Sequence, residues 1–157
     1  MAIQKVRDYF KKYSIDNRIQ EFEVSSATVE LAAKALNTSP CRIAKTLSFM
    51  VNDHPILIVT AGDTKIDNPK YKETFNTKAK MLQFDEVENL IGHAVGGVCP
   101  FGINDGISVY LDNSLKRFDT VFPACGSSNS AIELTIDELE KYSNYIKWID
   151  VCKLIEE

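Results

Sequence analysis

The stretch Thr46-Leu47-Ser48-Phe49-Met50-Val51-Asn52-Asp53-His54-Pro55-Ile56-Leu57-Ile58-Val59-Thr60-Ala61 decides the fold class. It reads as two largely apolar runs, Thr46–Val51 and Pro55–Ala61, joined by Asn52-Asp53-His54. Turn-forming residues between two such runs mark a β-hairpin. A three-residue connection cannot make the crossover of about a dozen residues that parallel neighbours need. The two runs are therefore antiparallel. Helical segments are interspersed through the rest of the chain, so the sheet is mixed or mostly antiparallel.

Working towards the N-terminus, Lys45 stands immediately before the first run, at the mouth of the strand. Ser39-Pro40 fits an N-cap followed by proline at the first helical position, which predicts a short helix from Pro40 to Ala44. Ala27 to Leu36 is alanine-rich and reads as a helix ending near Asn37, with Ser25 and Ser26 as N-cap candidates. Residues 19–24 alternate apolar and polar, the pattern of a half-buried strand. Ile3, Val6, Tyr9 and Phe10 form a helical stripe.

Towards the C-terminus, Asp63 to Asn76 is polar and reads as a loop with a short helix. Asp85 and Glu88 have capping-box spacing for a helix to Ile91, closed by Gly92. Further strands are expected at Ile107–Leu111, Thr120–Ala124, Ala131–Leu134 and Tyr145–Val151. Thr135 and Glu138 form a second box, opening a helix that ends near Tyr142.

The chain has 157 residues, 45% hydrophobic and 25% charged, which fits one globular domain. Its net charge of −4 gives no general attraction for nucleic acid, so such a partner needs a local basic patch. Cys41, Cys99, Cys125 and Cys152 are widely spaced, without a Cys-x-x-Cys or a Cys/His cluster, which speaks against a structural metal. No signal peptide is legible, and no apolar run reaches the roughly 18 residues that span a bilayer. These features point to a cytoplasmic protein with reduced thiols.

Several residues invite chemistry, each with a plainer alternative. Lys45 is either a surface lysine at a helix–strand junction or a partly desolvated ammonium that binds a carbonyl or anionic oxygen. Gly96-Gly97-Val98-Cys99-Pro100-Phe101-Gly102 is either a tight bend or a loop whose N–H groups form an oxyanion nest. It is neither a dinucleotide fingerprint nor a P-loop. Cys99 is a nucleophile or a wall, and only His54 and His93 offer it a base. Ala124-Cys125-Gly126-Ser127-Ser128-Asn129-Ser130 is a polar turn or one rim of a pocket. Lys65, Lys70, Lys72, Lys78 and Lys80, interleaved with Tyr71 and Phe75, are a solvated run or a site for a phosphate backbone and a stacked base.

The order of Ser39-Pro40, Ile43-Ala44-Lys45-Thr46-Leu47, Gly62-Asp63, Asp67 and Gly92 to Gly102 resembles the YbaK-type proteins. These in turn resemble the editing domain inserted in bacterial prolyl-tRNA synthetases. The likeness covers about residues 20–150, and its most specific elements are the lysine and the G-x-x-x-P loop, Gly96 to Pro100. It implies an α/β (α+β) fold, a single compact domain over residues 1–157 with a mixed, barrel-like sheet surrounded by helices. It implies a free-standing aminoacyl-tRNA deacylase that removes a small amino acid such as cysteine or alanine, often from tRNA(Pro), with no metal or organic cofactor and no membrane. A synthetase is a further expected partner.

On that resemblance Lys45, Gly96, Gly97 and Pro100 carry catalysis. Thr46, Val98, Cys99, Phe101, Gly126 and Ser127 line the substrate pocket, and Lys65, Lys70 and Lys72 contact tRNA. The synthetase domain has a pocket histidine late in its sequence. Here both histidines precede residue 94, and Cys125-Gly126 takes that place. An aminoacyl ester is already activated, so orientation and oxyanion stabilisation suffice, with water or a substrate group as nucleophile. A non-catalytic tRNA-acceptor binder and a thiol hydrolase using Cys99 are the competing expectations.

Overall fold

The computed structural model describes residues 2–155. Helix α1 (Ala2–Lys11) buries Val6 and Phe10 from the expected stripe. After it come β1 (Gln20–Glu21), α2 (Val29–Leu36), β2 (Ile43–Val51), β3 (His54–Ala61), β4 (Thr64–Ile66), α3 (Asn68–Phe75) and α4 (Phe84–Ile91). The second half holds β5 (Ser108–Asp112), β6 (Thr120–Pro123), β7 (Ser130–Ala131), β8 (Leu134–Thr135), α5 (Ile136–Ser143), β9 (Lys147–Ile149) and β10 (Cys152–Leu154).

The hairpin is the centre of a six-stranded mixed sheet in the order β8-β6-β2-β3-β5-β9. β2 and β3 pair antiparallel over eight registered residues, from Ala44 with Ala61 to Val51 with His54. The turn is tighter than expected, since His54 already belongs to β3. Asn52 and Asp53 carry it with φ of 50° and 63°, the left-handed pair that matches strand twist. β6, β5 and β9 join in parallel, and β8 pairs antiparallel with β6. The sheet is thus mixed, within the α+β class that the sequence implies.

One face of the sheet packs Leu57 and Val59 of β3 with Val109 and Leu111 of β5 against α1 and α4. The other packs Phe49, Ile56 and Ile58 against Tyr71 of α3. Each such side chain contributes about 1.5–3 kcal/mol on burial. Among the described residues, no helix is long and apolar enough to cross a membrane.

Local signals held where the partner was near in sequence. Gly92 caps α4 with φ of 104°. The Thr135–Glu138 box is made in both directions, at 3.0 and 3.1 Å. Elsewhere long-range pairing moved the boundaries. The run 19–24 contributes only Gln20–Glu21 to a ladder, because β7 offers two partner residues. α2 begins at Val29 with Thr28 as cap, its hydroxyl accepting from the Leu31 amide, while the Ser26 amide is bound to the Ser128 carbonyl. Pro40–Arg42 is a single 3-10 turn, and the strand starts at Ile43 because β6 pairs with Ile43 and Ala44. At α4 it is Glu86 that reaches back to the Gln83 amide, two residues before the expected box. The expected strand 131–134 splits between β7 and β8, which pair with different neighbours. The expected strand 145–151 shortens to β9, and β10 forms a separate ladder with β4.

Candidate active site

The site is a gap along one edge of β2. Its Ile43–Ala44 end is covered by β6. Further along, the Met50 amide donates to the Lys80 carbonyl at 2.8 Å and the Leu82 amide to the Ser48 carbonyl at 3.1 Å. Ser48 and Met50 therefore point their main-chain groups away from β3. By the strand alternation Thr46 does the same. It lies between the two covered stretches, so its N–H and C=O face open space. Its hydroxyl is also buried without a partner.

A cleft of about 460 Å³ opens at this gap. Its walls are the opening turn of α2, the 81–84 segment with Val87 of α4, and Val95, Gly96 and Val98. Phe122, Ser130 and Ala131 close the far side. The lining is apolar with a few hydroxyls, the usual make-up of a small-molecule site.

The glycine loop is built by close packing. The Gly97 amide donates to the Ala94 carbonyl at 3.0 Å, closing a turn with Gly96 at φ of 95°, the position that favours glycine in a type II turn. At Gly97 an added Cβ would meet the Ser127 nitrogen at 2.6 Å and the Gly126 carbonyl carbon at 2.7 Å. The Gly126 amide donates to the Gly97 carbonyl at 3.0 Å. The expected nest of free amides thus loses its Gly97 member to the turn, while Gly96 and Val98 face the cleft.

Lys45 also lines the cleft. It is the cross-strand partner of Thr60, whereas Thr46 is that of Val59. Neighbouring residues on a strand leave opposite faces, so the Lys45 side chain departs from the face that Thr46 does not use. Its ammonium donates to the Thr64 carbonyl. Burial pushes it below the usual lysine range, with Cys152, Asp63 and Glu30 acting in the other direction. Asp63 is itself clamped by Arg117 at 2.6 and 3.1 Å, which holds its carboxyl below the usual range.

The remaining expected site residues lie behind the cleft. Cys99 is fully buried, with Sγ 3.5 Å from His93 Nε2 and 3.6 Å from the Phe101 carbonyl. Burial pushes its thiol up to about 12. Burial likewise lowers His93, whose Nε2 is 2.7 Å from the Phe101 carbonyl. Phe101 packs on Phe10 with centroids 4.8 Å apart, and Pro100 is buried towards the α1 side. Gly126 packs on the Ala2 carbonyl. The Ser127 hydroxyl bonds Asn129 at 3.0 Å and Ser130 at 2.7 Å, so it touches the cleft only through Ser130.

In the basic stretch, Lys65 and Lys72 are exposed, but Lys70 is held by Asp150 and the Cys152 carbonyl, both at 3.0 Å. Tyr71 is fully buried and Phe75 packs on it, so neither aromatic is free to stack. Sequence reasoning missed Met81, Phe84 and Val95, which surround the mouth. Their only signal was an apolar side chain beside a cap or a glycine. No group of His, Cys, Asp and Glu with metal-holding geometry occurs among the described residues.

A family model described as an aminoacyl-tRNA editing domain matches residues 23–142. A protein of Bacillus subtilis called "Uncharacterized protein YwhH" is 56% identical over 154 residues, 98% of each chain. The proline–tRNA ligase of Aquifex aeolicus is 34% identical over 90 residues, 56% of this chain and 16% of that enzyme. The chain thus spans only a small part of that ligase. A solved structure described as "a putative trans-editing enzyme for prolyl tRNA synthetase" superposes with a TM-score of 0.87 at 24% identity, over 97% of each chain.

Proposed function

The chain belongs to the aminoacyl-tRNA editing family, an aminoacyl-ester hydrolase class, and we propose that it clears mischarged tRNA(Pro) in trans by removing a small amino acid such as cysteine or alanine. The observation that carries this reading is the gap at Thr46, a small apolar cleft with unpaired main-chain groups and a lysine at its end.

An aminoacyl ester presents one carbonyl, one amino group and one side chain. The Thr46 N–H and the Gly96 turn supply donors for the carbonyl oxygen, where negative charge grows as the nucleophile adds. The Thr46 carbonyl and hydroxyl suit the amino group. Lys45, released from Thr64, holds the terminal ribose or its phosphate as a point charge. Water, deprotonated by way of the neighbouring ribose hydroxyl, adds to the ester carbon; for a cysteinyl ester its own thiol can add instead, closing a cyclic thioester that water opens afterwards. The ester C–O bond then breaks, and the ribose oxygen leaves with a proton. Lys65 and Lys72 remain free to meet tRNA phosphates.

Selection is by size. Val98 and Ala131 bound the side-chain end of the cleft, and each methylene that fits or fails to fit is worth about 1–3 kcal/mol. The test is a release assay on cysteinyl-, alanyl-, seryl-, threonyl- and prolyl-tRNA(Pro). Cysteinyl- or alanyl-tRNA is cleared fastest, and the prolyl ester is spared at least about tenfold. Tight binding with no amino acid released in substrate excess overturns the reading in favour of a non-catalytic acceptor binder.

A further inference from the structure

The mouth of the cleft carries an exposed aromatic ring that the reaction above does not use. Phe84, Val87 and Ile91 share one face of α4 at helical spacing. Ile91 is 0% exposed and Val87 4%, but Phe84 is 80% exposed. The core-facing stripe therefore runs off the edge of the core and ends over the cleft. Met81 and Val95, 56% and 47% exposed, stand beside Phe84 in the lining. An apolar cluster of this kind around a site mouth marks a binding surface.

The ring has a firm base. Residues 80–82 are bonded to β2 on both sides of Met81, and Met81 bridges to Phe49. The Gln83 amide is held by Glu86. We propose that Phe84 is a stacking platform for the 3′-terminal base of the aminoacyl-tRNA. This rests on the deacylase reading, because an ester held in the cleft is joined through a single ribose to that base. The base must then lie at the mouth. Phe122, the other aromatic in the lining, is 7% exposed and cannot receive it. Asp85 and Glu86, in the same turn of α4, oppose a phosphate at this spot and leave the uncharged face of a base as the fitting group. Exposed Lys78 and Lys80 precede the platform and suit the phosphates upstream of that base. Tyr71 and Phe75, the aromatics that the sequence offered for stacking, are thereby replaced by one that is accessible.

The experiment compares wild type with Phe84→Ala, Phe84→Leu and Phe84→Trp on alanyl- and cysteinyl-tRNA(Pro). One lost stack raises KM about 5- to 150-fold. The loss falls on KM rather than kcat, Leu behaves as Ala, and Trp restores the wild-type value. A cytidine-cytidine-adenosine trinucleotide is titrated in parallel by calorimetry, and the Ala variant binds it more weakly by the same factor. Wild-type KM in the Ala variant overturns the proposal. So does a loss shared by kcat and the thermal midpoint, or a trinucleotide that binds both proteins equally or neither. A wild type that hydrolyses neither ester removes the deacylase reading instead, and the trinucleotide titration still decides the platform.

Discussion

Replacing Lys45 by methionine separates a functional ammonium from a structural one. In the folded chain this group makes one hydrogen bond, to the Thr64 carbonyl, from a half-buried position. A hydrogen bond from a charged donor contributes about 1.5–3 kcal/mol. Against it stands the cost of keeping a cation partly out of water, which reaches several kcal/mol for full burial. The two oppose each other, and methionine keeps most of the apolar stem. The net change in stability is therefore within about 1 kcal/mol, a shift of about 2–4 °C in Tm for a chain of this size. Catalysis has no such compensation. Losing the charge that holds the terminal ribose or its phosphate lets the ester drift from the main-chain donors, and a misplacement of about 1 Å costs about 10² in rate, about 2.7 kcal/mol. Single-turnover release of alanine or cysteine from tRNA(Pro) measures the second quantity, and thermal unfolding of the same preparation measures the first. Lys45→Met with turnover within threefold of wild type refutes the reasoning. Lys45 would then be a strap between β2 and β4, and the chemistry would rest on the main chain alone.

Three further outcomes test the frame around the site. Gly97→Ala places a methyl against the backbone of Gly126 and Ser127, which cannot rotate away, so it costs about 1–3 kcal/mol of stability and displaces the turn at Gly96; an unchanged Tm would show that the loop stands clear of the 126–127 segment. Cys99→Ala retains turnover within about twofold, because a fully buried thiol pushed up to about 12 supplies no thiolate at neutral pH, and loss of most activity would bring back the thiol-hydrolase reading. Arg18 bonds both carboxyl oxygens of Glu138, at 2.7 and 3.1 Å, and holds it down at about 2 against an ordinary 4.5. The stability from this depressed carboxyl is present above pH 4.5 and lost as pH falls towards 2. The pair is partly exposed, which limits it to about 1 kcal/mol or less. Glu138→Gln should flatten the fall of Tm between pH 5 and 2, and an unchanged slope would deny the pair that role.

What the sequence made legible was local. The hairpin turn, the Gly92 cap and the Thr135–Glu138 box each depend on residues within four positions of one another, and all three formed. The direction of Lys45 was of another kind. Reading the strand from Thr46 left Lys45 outside it, with no face assigned. The ladder with β6 draws Ile43 and Ala44 into the strand, and the pleat then sends Lys45 and Thr46 to opposite faces. A shift of one residue decides such an outcome, and the register is set by β3, which pairs with Ala44 and Lys45, together with β6 nearly eighty positions away. Cys99 and Phe101 were misplaced for a related reason. An apolar residue after a glycine turn fits a pocket wall or the core equally well, and the packing of Phe10 on Phe101 selects the core. Tyr71 and Phe75 were separable from the lysines in principle. They are four apart, one face of the helix that the polar run conceals.

On the proposed reading, the absence of a legible dyad or triad follows from where the candidate site lies. β2 changes partners along its outer edge, from β6 at Ile43–Ala44 to the 80–82 segment at Ser48–Met50, and the change leaves one residue uncovered. An uncovered strand residue offers a donor and an acceptor at fixed spacing, whatever its side chain. A site built on such a gap depends on the two covering segments keeping their distance. Gly97 holds one wall by packing without a side chain against Gly126 and Ser127, and the Phe49–Met81 bridge holds the other. For an ester, which needs orientation and charge stabilisation more than a protein nucleophile, main-chain groups at a sheet edge are sufficient. The residues that matter most are then those that keep the gap open, and their side chains carry little reactive chemistry of their own.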